Sequence, residues 1–135
     1  FRSVTGYLDS AARGAGKDKQ TAHDDRYELA DEYMELVYKL WEGSWEDDAA
    51  IRDVARGIFT DPSKVHRVQH EGANYRLNAI HLSEPSPQRT PVLYQAGASE
   101  RGREFATRHA ECIFLNPSSP ENVARLVADL RARAA

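Results

Sequence analysis

Pro91-Val92-Leu93-Tyr94-Gln95-Ala96-Gly97-Ala98-Ser99-Glu100 is the stretch that decides the fold. Its first half is a short apolar run without polar alternation, the pattern of a parallel strand covered on both faces. Ala96 to Ser99 then reads as a tight turn. A helix is expected from Glu100 to about Ala110, with Phe105, Ala106 and His109 on its inner side. The same unit recurs downstream. Cys112 to Leu115 reads as a strand and Asn116 to Ser119 as a loop. Ser119 is placed to cap a last helix that Pro120 opens. Val123, Leu126, Val127 and Leu130 give that helix an apolar face.

Upstream, the residues before Thr5 read as the end of a strand already under way. The chain opens on Phe1 and has no initiator Met, so it is expected to be a piece from the middle of a longer polypeptide. A Gly- and Lys-containing loop is expected from Ala11 to Ala22. Asp25 and Glu28 have capping-box spacing, which predicts a helix start there. Leu29, Tyr33, Leu36, Val37, Leu40 and Trp41 recur at helical spacing, and Gly43 suits the position just past the helix end. The acidic side chains of this helix read as a solvated outer face. Ser44 to Thr90 forms a long excursion with an expected hairpin, Val65 to Gln69 and Asn74 to Leu82, turning near Glu71-Gly72-Ala73. Tyr75, Leu77, Ile80 and Leu82 are expected to be exposed on it, serving packing or subunit contact.

Three strand-to-helix units are the grammar of a parallel α/β protein. A doubly wound sheet and a TIM barrel share it locally, and three strands cannot close a barrel that needs eight. Pattern alone leaves both open. The net charge of −3 gives no reason to expect nucleic acid, and no apolar run is long enough for a bilayer. The single cysteine, Cys112, excludes an internal disulfide and suits a reducing cytoplasm. No metal is expected. His66 and His70, placed in or beside a strand at about 3.3 Å per residue, would stand roughly 13 Å apart, too far for one zinc.

Several ordered motifs carry a resemblance. They are Val4-Thr5-Gly6-Tyr7-Leu8-Asp9-Ser10-Ala11-Ala12-Arg13, His23-Asp24-Asp25-Arg26-Tyr27, Asp31 to Trp45, His70-Glu71-Gly72, Pro85-Ser86-Pro87-Gln88, and Val92 to Ser99 with Gly102-Arg103-Glu104-Phe105-Ala106. Together they resemble the nitrilotriacetate and dibenzothiophene-sulfone monooxygenase branch of the luciferase-like flavoproteins. The resemblance implies a TIM barrel, of which residues 1–135 would be a partial domain. They would supply about three βα units, with an insertion at 44–90. It also implies reduced FMN as cofactor, a separate NAD(P)H-dependent flavin reductase, O₂ and a small organic substrate, in a cytoplasmic homo-oligomer. Two positions depart from the family pattern: Phe1-Arg2 replace a usual Trp-Asn, and Gly6 stands where Ser is frequent.

Barrel chemistry gathers on the loops after the strands, here Thr5 to His23, Ala96 to Ser99 and Asn116 to Ser119. Ser99, at a helix start behind a glycine turn, is the leading candidate, because free N–H groups and the dipole favour an anion there. Its plainer role is an N-cap. By resemblance Ala98 lends backbone contact, Thr5 and Tyr7 face the flavin, and the Tyr27 hydroxyl reaches the FMN phosphate. His23 is set aside as a local ion pair with Asp24 or Asp25. Arg101 and Arg103 are set aside as solvated helix arginines. The rival reading is a non-catalytic α/β binding or interaction module.

Overall fold

A computed structural model describes residues 1–134. The chain divides into two compact units, one of Phe1–Asp31 with the residues from Val92 onward, the other of Glu32–Pro91.

In the first unit, β1 (Arg2–Ser3), β6 (Tyr94–Ala96) and β7 (Cys112–Phe114) form a parallel sheet in the order β1-β6-β7. Arg2 stands opposite Tyr94, and Tyr94 opposite Cys112. The helices of this unit are α1 (Asp9–Gly14), the start of α2 (His23–Gly43), α3 (Glu100–His109) and α4 (Pro120–Ala134). Leu93 and Gln95 are buried, as are Tyr27, Phe105, Ala106 and Leu130. The period-2 alternation of a strand puts Tyr94 on the other face. There its ring meets Phe114 at 5.8 Å and the Arg2 guanidinium lies 5.6 Å from the Phe114 ring.

The expected strands and helices of this unit are present with shifted ends. The central strand covers Tyr94–Ala96 rather than starting at Pro91, because the ladder forms only where β1 and β7 run beside it. The third strand stops at Phe114 rather than Leu115. The loop expected from Ala11 contains the short helix α1, which buries Ala12. Gly16, at φ +80°, turns the chain, and the Gln20 N–H donates to Asp9 Oδ1 at 2.9 Å. Helix α2 begins at His23, not Asp25, so Asp24 and Asp25 occupy its first turn, where the helix dipole favours carboxylates.

In the second unit, α2 from Glu32 onward buries Met34, Leu36 and Val37. Met34, outside the expected stripe, is 1% exposed, whereas Tyr33, inside it, is 38% exposed. Gly43 is the last helical residue rather than the one beyond. The hairpin is β4 (Val68–Glu71) with β5 (Arg76–Ala79), shorter than expected and paired His70 to Leu77. Of its four expected exposed apolar residues only Leu82 is fully so, while Tyr75, Leu77 and Ile80 are half-buried. A second hairpin, β2 (Ala50–Asp53) with β3 (Ile58–Thr60), was not anticipated. Its sequence lacks alternation, with Arg52 at φ 53° on an irregular register and Gly57 at φ +67° in the turn. Ser44 is fully buried because its hydroxyl donates to His66 O at 3.1 Å and accepts from the His81 N–H at 2.8 Å.

The acidic residues of α2 do not form a solvated face throughout. Asp31 accepts from Arg101 at 2.6 Å and pairs with His109 at 2.9 Å. Glu32 accepts from the Tyr75 N–H at 2.7 Å and from the Asn74 N–H and Nδ2 at 2.8 and 2.7 Å. It also meets His70 Nε2 at 3.1 Å. Lys39 Nζ, which can only donate, faces His70 Nδ1 at 3.2 Å, so the His70 proton sits on Nε2 and points at Glu32. Burial would raise the Glu32 pKa, but the hydrogen bonds from His70, Tyr75 and Asn74 outweigh it and hold it at about 2. A Cβ on Gly72 would strike this carboxylate and come within 2.7 Å of His70 Nε2.

Candidate functional site

The three parallel strands end on one sheet edge. Ser3 is paired with Gln95, and Ala96 with Phe114, so the loops that follow leave side by side. Thr5 and Tyr7 belong to the first loop, and Gly97, Ala98 and Ser99 to the second. Thr5 is half-buried, and Tyr7 is 77% exposed.

Ser99 is the N-cap of α3, with extended backbone at φ −65° and ψ 160°. Its Oγ accepts from the Gly102 N–H at 3.1 Å, so the capping role is realised. That bond uses one lone pair and leaves the hydroxyl hydrogen free to donate elsewhere. The first N–H groups of a helix have no partner within it and point out along its axis.

Tyr27 approaches from the first turns of α2 and is 4% exposed. Its ring is held between His23 at 5.2 Å and Phe105 at 5.7 Å, and Phe105 in turn meets His109 at 4.7 Å. Two glycines make room for it. A Cβ on Gly97 would lie 2.9 Å from Tyr27 Oη, and one on Gly102 would lie 2.7 Å from Tyr27 Oη and 2.9 Å from Ser99 Oγ. Neither glycine has positive φ, so glycine serves space here, not conformational freedom. The two hydroxyls thus converge on one point at the start of α3.

The structure therefore gathers Tyr27, Ala98 and Ser99 around one helix N-terminus, with Thr5 and Tyr7 on the neighbouring loop. Three residues were missed in the sequence: Gly97 and Gly102, whose role is steric, and Gln95, 1% exposed beside the turn. Gly102 offered a signal, since glycine inside a first helical turn has low propensity and needs a reason. Neither of the arginines set aside is a solvated group, and Arg103 reaches the turn itself. Arg101 pairs with Glu28 and Asp31, and Arg103 with Asp129 at 2.6 Å and Ala98 O at 2.5 Å. His23 forms its local ion pair with Asp24 at 2.6 Å. His66 pairs with Glu46.

The model of the luciferase-like monooxygenase family matches residues 4–135. The chain belongs to that family. It is 58% identical over 131 residues to a long-chain alkane monooxygenase of Geobacillus thermodenitrificans, covering 97% of this chain and 30% of that protein. It is 56% identical to a dimethyl-sulfide monooxygenase of Hyphomicrobium sulfonivorans, with 97% and 27% covered. Among solved structures, a riboflavin lyase with modified FMN and riboflavin superposes with a TM-score of 0.84 at 52% identity, covering 95% of this chain and 28% of that one. The chain therefore spans about 30% of the length of the curated relatives it matches, and its fold is of the luciferase-like, TIM-barrel type.

Proposed function

We propose that the chain is part of a reduced-FMN-dependent monooxygenase and that the α3 N-terminus receives the flavin phosphate. The observation that carries this is the convergence of the Tyr27 and Ser99 hydroxyls on a glycine-cleared helix start. FMN fits the donor set. A phosphate takes up hydroxyl and N–H donors, and the dipole of α3 favours its charge. The nearest carboxylate on the helix, Glu100, is turned to Arg133 at 3.7 Å. Arg101 is engaged with Glu28 and Asp31, whereas Arg103, paired with Asp129, also donates to the Ala98 carbonyl at 2.5 Å and so adds one positive charge at the turn to the dipole of α3.

In this reading Ser99 donates its free O–H to a phosphate oxygen while still capping α3, Tyr27 donates from behind, and Ala98 leaves room for the backbone. Thr5 and Tyr7 contact the flavin from the neighbouring loop. Reduced FMN, delivered by a separate NAD(P)H-dependent flavin reductase, would when bound here supply the activation of O₂ for insertion of one oxygen atom into a small organic substrate. The residues of this chain bind and orient. The whole protein is proposed to be a cytoplasmic homo-oligomer, with residues 1–135 contributing about three βα units and the insertion 44–90.

The test is anaerobic binding of reduced FMN and reduced riboflavin to the full-length protein and its Ser99→Ala variant. Loss of a charge-assisted hydrogen bond, about 1.5–3 kcal/mol, weakens FMN roughly 10- to 150-fold and leaves riboflavin nearly unchanged. Parallel weakening of both flavins, or none of either, returns Ser99 to a cap alone.

A further inference from the structure

We infer that Arg103, anchored by Asp129, is a positioning residue that turns the peptide between Ala98 and Ser99 so that its N–H end, and not its carbonyl, serves an anion at the start of α3. The inference rests on the phosphate reading and extends it to a side chain that acts through the backbone. Arg103 lies one turn into α3, with its side chain 19% exposed. Its Nη1 donates to the Ala98 carbonyl at 2.5 Å, and its Nε lies 2.6 Å from Asp129 Oδ2 on α4. Its backbone N–H donates to the Ser99 carbonyl at 2.9 Å. One residue therefore holds the carbonyls of both peptides that meet at Ser99.

No peptide bond here is cis, and in a planar trans peptide the C=O and the N–H point opposite ways. With the Ala98 oxygen fixed on the guanidinium, the Ser99 N–H is fixed on the other side of the chain. A helix opens on four N–H groups without partners inside it, and here the Gly102 N–H is already taken by the Ser99 hydroxyl. The direction of those that remain decides what the turn binds. A carbonyl left loose at this point is free to swing its negative end toward an anion; one bonded to an anchored cation is not. The guanidinium suits the task because its donors stand in fixed directions on one plane, so that the carboxylate at Nε sets the aim of Nη1. Asp129 thus acts through Arg103, and Arg103 through the peptide.

The experiment measures anaerobic affinities of reduced FMN and riboflavin for the full-length protein, Arg103→Met, Asp129→Ala, Asp129→Asn and the double variant of the first two. Arg103→Leu and Asp129→Leu replace any of these that does not fold. Arg103→Met is expected to weaken FMN roughly tenfold, the worth of one charge-assisted hydrogen bond, and to leave riboflavin within about twofold. Asp129→Ala separates positioning from charge. Removing the carboxylate raises the positive charge beside the turn, so a guanidinium acting only as a charge would then hold FMN more tightly. Loss of the anchor instead weakens FMN by roughly threefold or more, while Asp129→Asn, which keeps an acceptor for Nε, stays within about twofold of the wild type. In the double variant the loss of Asp129 adds nothing to the loss of Arg103. FMN affinity unchanged or raised in Asp129→Ala, equal weakening of both flavins in Arg103→Met, or losses that multiply in the double variant would each overturn the inference. A wild-type protein that binds both flavins equally overturns the phosphate reading, and this inference with it. A wild type that prefers FMN, beside an Asp129→Ala variant that prefers it as strongly, overturns this inference alone.

Discussion

Gly102 sets two effects against each other at a single atom. Replacing a helical glycine by alanine favours the helix by about 1 kcal/mol. At Gly102 the new methyl would come within 3 Å of both Tyr27 Oη and Ser99 Oγ. Tyr27 cannot yield easily, because His23 and Phe105 flank its ring. Overpacking of this kind costs about 1–3 kcal/mol, which exceeds the gain. Gly102→Ala is therefore expected to lower Tm and to weaken FMN binding more than riboflavin binding. Gly43 is the control: nothing lies within 4 Å of its Cβ position. Gly43→Ala should leave both affinities unchanged and stabilise by no more than about 1 kcal/mol, read by thermal melts of the two variants side by side. Gly6→Ser should be accommodated as well, since the nearest atom to a Cβ there is Gln20 Nε2 at 3.8 Å.

Within the second unit, one carboxylate ties a helix to a hairpin. Glu32 on α2 holds the turn between β4 and β5 through three N–H groups and His70. Its pKa falls from 4.5 to about 2, so its contribution to stability is complete above pH 4.5 and is lost as pH falls through about 2. Melting temperatures of the wild type and Glu32→Gln should therefore differ most at neutral pH and converge between pH 4.5 and 2. A gap that stayed constant across that window would refute this role. The hairpin itself was legible in the sequence, because Glu71-Gly72-Ala73 separates two segments in which apolar and polar residues are interleaved. The carboxylate's role was not, since nothing local marks a glutamate whose partners lie some forty residues away. A separation of 70 and 78 residues hid Asp31, which reads as one more acid on a charged helix until Arg101 and His109 come to it. Met34 escaped the expected stripe because a helix buried on a broad face is not described by a single row of apolar residues.

For the molecule as a whole, three strands leave a parallel sheet with β1 and β7 as open edges, and Tyr94 and Phe114 partly exposed on one face. Unpaired edges beside exposed aromatic surface favour association between chains. Expressed as residues 1–135 alone, the chain is expected to self-associate in size-exclusion chromatography and to form no product with reduced FMN in stopped flow. Robust turnover by this chain would show that the site needs nothing more. The strand-turn-helix units were readable because parallel strands announce themselves as short apolar runs followed by caps. The hairpin β2–β3 was not. Arg52 and Ile51 face outward and no period-2 pattern survives, so only pairing in space defines it.

Gly72 carries a consequence for how such a sequence can drift over generations. The far end of a glutamate is normally free to swing aside for a neighbour's methyl, but the Glu32 carboxylate is pinned by Asn74, Tyr75 and His70. Position 72 is thus closed to side chains for as long as position 32 keeps its acid. The two sites should be inherited together with His70, whose buried Nε2 would also stand 2.7 Å from a Cβ at position 72: a lineage that loses only the carboxylate does not thereby become free to lose the glycine.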